Sequence, residues 1–162
     1  MAEYDIAFAE KLADVAGSVV AEGLDTIDAK RTVLYLSLLS AEIAMKALLE
    51  KAGKPVIEIR TRSHDVAALL RDVAECLIHV DVAPNNWKQV KATRLRGEVV
   101  DPNFANATIG KMLRAEEAGA SKYPNEVRYG TVPRHYPPEL MQRMAAKLVA
   151  WARSHWNDIR FV

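Results

Sequence analysis

The sequence predicts an all-α fold, a bundle of four to five main helices with an irregular segment before the last one. Three observations predict it. Apolar residues recur three or four positions apart over most of the chain, one long stretch is apolar almost all round, and no stretch long enough to found a sheet alternates. With 162 residues, 50% of them hydrophobic and 27% charged, the chain has an ordinary globular composition and enough length for one sizeable core.

From Asp5 to Glu22, the residues Ile6, Ala9, Ala13, Ala16 and Val20 form a helical stripe rich in small side chains, and Gly23 suits the left-handed cap that closes such a helix. A second helix is expected to begin near Asp28, an N-cap type of residue, and to run to Ala52, with Gly53 and Pro55 stopping it. Its centre, Val33 to Leu49, is apolar on nearly every side, as befits the middle of a bundle. Glu42 and Lys46 interrupt that run, which therefore reads as too short for a membrane span. The two lie four apart with Glu first, the favourable order for an intrahelical ion pair.

A third helix starts after Ser63, with Asp65 in its first turn and Val66, Leu69, Leu70, Val73 and Leu77 facing inward. Pro84-Asn85-Asn86 reads as the start of another helix, from Trp87 to about Arg96, with Trp87 in the core or above a basic face of Lys88, Lys91, Arg94 and Arg96. Breaks at Asp101-Pro102, Tyr123-Pro124 and Val132-Pro133 mark loops around a short helix near Ala105 to Ala118. Pro137 and Pro138 open the last helix, in which Leu140, Met144, Leu148, Trp151, His155 and Ile159 keep helical spacing. Val56 to Ile59 alternates like a strand but is too short to found a sheet. No repeat or second domain is visible, so residues 1–162 read as one domain.

Charge is unevenly spread. Residues 1–50 hold four basic and nine acidic side chains, residues 51–134 fourteen and ten, and residues 135–162 four and two. The overall net charge of +1 excludes a strongly basic nucleic-acid clamp but leaves room for a local basic patch. Cys76, the one cysteine, excludes an internal disulfide or a Cys-rich zinc site. The four histidines lack i, i+4 pairing, and no Walker, Rossmann or Gly-x-Ser-x-Gly element is present, so no metal or cofactor is expected. The first residues lack the basic start and apolar core of a signal peptide, and a cytoplasmic protein with no membrane contact is expected.

Three elements together resemble the HEPN (higher eukaryotes and prokaryotes nucleotide-binding) family. Ala41-Glu42 to Lys46 and on to Gly53 is similar to that family's central helix. Ser63-His64-Asp65 is similar to the start of its next helix, and Tyr123-Pro124 with Arg128-Tyr129 precedes a long last helix as in many members. The resemblance implies a helical bundle that forms a homodimer. Many HEPN proteins are metal-independent RNases of prokaryotic defence and toxin–antitoxin systems; others have lost catalysis and bind a nucleotide or a protein partner, or serve dimerisation. A cognate antitoxin or a nucleotidyltransferase is the protein partner this implies.

The RNase members carry an Arg, four to six residues, and a His. Arg128 and His135, with six residues between, fit that spacing. Metal-free RNA cleavage needs a proton-transfer group and a fixed cation on the phosphate, which His and Arg supply. Arg134 and Tyr129 are candidate substrate contacts beside them, as are Arg60, Arg62 and His64, which cluster in one loop and could meet a phosphate. The plainer alternative makes Arg128 and His135 loop residues bonded to backbone carbonyls, and His64 part of a helix start. Tyr129 stands where the family usually has a polar residue, and Gly130 and Pro133 interrupt the helix on which the motif commonly sits.

Overall fold

One helix organises the molecule. In the computed structural model, which describes residues 1–114, 123–128 and 136–162, α2 (Ile27–Ala52) runs through the middle and packs against α1 (Ile6–Glu22), α7 (Pro138–Ser154) and α4 (Val66–Glu75). Thr26 caps its start, accepting the Ala29 N–H at 3.0 Å, and Gly53 closes it at φ 105°, a left-handed conformation that suits glycine. The cap thus falls two residues before the predicted Asp28. In length and hydropathy α2 would pass for a membrane-crossing helix, but 72% of its apolar window is buried inside the bundle. Its apolar character is therefore largely accounted for by α1, α4 and α7.

The small-residue stripe of α1 does what its composition suggests. Ala9, Ala13 and Ala16 are buried and let the two backbones approach closely enough for the Ser40 hydroxyl to donate to the Ala9 carbonyl at 2.6 Å. Large side chains fill the rest of the core, among them Leu38, Met45, Leu48, Leu69, Ile109 and Met112. The short α3 (Val56–Arg60) forms where the sequence alternates like a strand, and it buries Ile59. α5 (Ile109–Met112), capped by Thr108, is all the helix found between Ala105 and Arg114. Gly110 is required there: a Cβ would lie 2.9 Å from the Arg96 carbonyl oxygen.

The bundle is mostly helical but not all-α. Where a helix from Trp87 to Arg96 is expected, the chain forms an antiparallel hairpin of β1 (Leu77–Ala83) and β2 (Asn86–Lys91), followed by a 3-10 helix, Ala92–Gly97. Pro84 and Asn85 make its turn, with Asn85 left-handed at φ 59°, the residue order a type II turn takes. Leu77 and His79 accordingly lie in a strand, and Trp87 is exposed instead of sitting in the core. α7 ends at Ser154, so His155 and Ile159 follow the last helix. Tyr129, Arg134, His135 and the Val132-Pro133 break lie outside the described residues, as does the predicted helix beyond Arg114. Arg128 is placed as the last residue of α6 (Asn125–Arg128).

Two outcomes test this packing. Leu48→Ala, at a fully buried site, is expected to cost about 2–5 kcal/mol by urea unfolding, against a few tenths of that for an exposed leucine. Burial raises the Cys76 thiol from its ordinary value near 9 to about 11. The unfolded thiol therefore ionises first, and stability should fall as pH rises from 9 toward 11. A Tm profile steeper for wild type than for Cys76→Ala over that range is the expected result.

Candidate functional site

Glu42 is the centre of the site. It sits on α2 with only 4% of its surface exposed, and a carboxylate so placed must be matched by donors. Three reach it. Lys46, one helical turn on, places Nζ 2.7 Å from Oε1; His64 Nδ1 lies 3.1 Å from both oxygens; and the Tyr123 hydroxyl donates to Oε2. The Lys46 ammonium also lies 5.6 Å from the centroid of the Tyr4 ring. The ion pair expected from the Glu–Lys spacing is thus present, and two further segments converge on it.

Local backbone explains the position of His64. Ser63 is held at φ 50°, rare for a residue other than glycine, and this turns the chain into α4. Asp65, not Ser63, caps that helix, accepting the Ala68 N–H at 3.0 Å. Nδ1 faces the carboxylate, while the side chain as a whole stays half exposed. The Tyr123 ring meets the imidazole edge-on at 6.1 Å.

Arg60 and Arg62 stand close to His64 in sequence, but the structure sends each to a different carboxylate. Arg60 forks onto Glu3 at 2.9 and 3.0 Å, and Arg62 onto Asp72 at 2.7 and 3.0 Å. Asp72 holds the Arg62 guanidinium above its ordinary value, chiefly through that hydrogen bond. A phosphate arriving at this loop would have to displace Glu3 or Asp72.

A pocket of about 250 Å³ opens beside Tyr35. Arg31, Thr32, Tyr35 and Leu36 of α2 and Val127 of α6 line it, and the Tyr35 ring lies 5.8 Å from that of Tyr123. It is slightly smaller than the range of about 300 Å³ upward typical of ligand sites, and fits one ring system. Val127 of α6 lines this pocket, and Arg128, the first residue of the Arg-x6-His spacing, follows it as the last residue of α6. Sequence reasoning missed Arg31 and Tyr35. A usable signal existed: Tyr35 is the one aromatic residue between Val33 and Leu49. No protein-family model matches the chain, and neither does any curated protein or solved structure, so its chemistry is read from its own residues.

The buried cluster yields a double-mutant prediction. Glu42→Leu leaves the Lys46 ammonium buried without its carboxylate and is expected to cost about 3–5 kcal/mol. Adding Lys46→Met should recover most of that loss. Equal unfolding free energies for the single and double variants would show that the pair is not coupled.

Proposed function

We propose that the protein is a HEPN-like, RNA-directed protein of a prokaryotic defence or toxin–antitoxin type, acting in the cytoplasm as a metal-independent endoribonuclease. The observation that carries this reading is the convergence of Arg31, Tyr35 and the end of α6 on one pocket. An aromatic ring and a guanidinium side by side suit a base and its phosphate. Arg128 follows the pocket residue Val127 in sequence and opens the segment that leads to His135.

The chemistry follows from those groups. A base removes the proton of the ribose 2′-hydroxyl, whose oxygen attacks the adjacent phosphorus; the 5′-oxygen departs and takes up a proton. The products are a 2′,3′-cyclic phosphate and a 5′-hydroxyl end. His135 is the proton-transfer group, and Arg128 stabilises the charge that builds on the phosphate. Arg134 and Tyr129 contact the substrate next to them. A homodimer brings two such sites together and so supplies two histidines for the two proton transfers.

A second reading is favoured by the pocket itself, whose cation, hydroxyl and ring suit binding as well as cleavage. In it the protein is a non-catalytic module that holds a nucleotide, or that docks or dimerises with a cognate antitoxin or nucleotidyltransferase.

One assay separates the two. Cellular RNA incubated with the protein in EDTA should be cleaved, and Arg128→Ala and His135→Ala should each slow cleavage by about 100-fold or more. RNA left intact by a folded wild-type protein overturns the catalytic reading. Nucleotides that then raise Tm in wild type but not in Arg31→Ala would establish the binding module.

A further inference from the structure

The hairpin is fastened at one end only. Leu77 exchanges two backbone hydrogen bonds of 2.8 Å with Arg160, the Cys76 carbonyl accepts the Ala92 N–H at 2.8 Å, and the His79 N–H donates to Asp158 at 2.6 Å. Beyond this base the ribbon leaves the bundle, and every residue from Asp81 to Gln89 is exposed. On one face Trp87 stacks on His79, with ring centroids 4.1 Å apart and planes 16° from parallel. Trp87 still exposes 55% of its surface. The imidazole therefore backs one side of the indole and leaves the other to solvent.

Charge around this ring is one-sided. From Asp81 to Gly97 the chain has one acidic residue, Asp81, and four cations, Lys88, Lys91, Arg94 and Arg96. Lys88, Arg94 and Arg96 form no ion pair among the described residues. Lys91 meets Glu75 at 2.6 Å, with both side chains more than half exposed, a pairing that solvent weakens. Lys91 shares a strand face with Trp87, about 13 Å further along at strand rise.

We propose that the hairpin is a binding arm for single-stranded RNA, with a base stacked on the open face of Trp87 and neighbouring phosphates held by Lys88, Lys91, Arg94 and Arg96. The ring selects the single strand, because a base must be unstacked from its neighbours to lie on an indole. The cations select a polyanion. The choice of RNA as that polyanion rests on the RNA-directed reading above, whereas the arm itself is remote in sequence from Arg128 and His135. His79 is a positioning residue that holds the indole in place.

Binding of a fluorescein-labelled U12 strand, followed by anisotropy, tests the arm. Trp87→Ala is expected to weaken binding about tenfold, and Trp87→Phe, which keeps a ring, to retain most of it. Lys88→Glu with Arg94→Glu and Arg96→Glu should abolish binding at physiological salt, and Lys88→Ala with Arg94→Ala and Arg96→Ala should flatten the log–log salt slope by about 2. Inorganic polyphosphate, which has no bases, should bind wild type and Trp87→Ala alike. The arm is overturned if Trp87→Ala binds U12 as wild type does, or if duplex RNA binds as tightly as the single strand. Cleavage absent with Trp87-dependent binding intact would sink the nuclease and keep the arm; cleavage intact with Trp87→Ala binding unaltered would do the reverse.

Discussion

A carboxylate inside the wall of an apolar helix imposes a condition on everything packed around it. Glu42 cannot reach bulk water, so its oxygens must be satisfied by groups that the fold delivers. Lys46 comes from the same helix, His64 from the turn before α4, and Tyr123 from the segment before α6. Two separate stretches of chain are thereby registered against α2. Apolar contact alone tolerates sliding; directed hydrogen bonds to one carboxylate do not. The Tyr123 ring also lies 5.8 Å from that of Tyr35, which lines the pocket between α2 and α6.

The other end of the molecule is organised differently. Among the described residues no helix packs on the hairpin's outer half, and its order comes from the backbone bonds at its base and from the stacked pair of His79 and Trp87. Asp158 takes part in both ends of this mounting: it accepts the His79 N–H and lies 3.2 Å from His155 Nδ1, just after α7. A polar residue that follows a helix thus fixes a ribbon that leaves the bundle.

Long, periodic segments were legible in the sequence because helix periodicity survives averaging over many residues. The end of α1 at Gly23 and the end of α2 at Gly53 follow from stripe and cap chemistry alone. The hairpin was not legible. Each strand offers too few alternating positions, and Pro84-Asn85-Asn86 suits a helix start as well as a turn. Ser63 and Asp65 show the same degeneracy, since both are good caps and only the left-handed φ of Ser63 decides between them. In the site, Glu42 and Lys46 could be paired from their spacing. His64 and Tyr123 lie 22 and 81 residues from Glu42, and no local pattern encodes contacts at that range. Tyr129, Arg134 and His135 fall outside the described residues, so the spacing that suggested them stands on sequence.

The two edges of the chain meet on the last turn of α2. The Glu3 N–H donates to the Glu50 carboxylate at 2.9 Å, and the Phe161 N–H donates to the Ala52 carbonyl at 2.9 Å. The backbone path is therefore nearly a closed ring, and a short linker could join its ends without disturbing the core. Such a circularised molecule would have less unfolded-state entropy to lose on folding. It also means that any segment fused at either side emerges from the same pole.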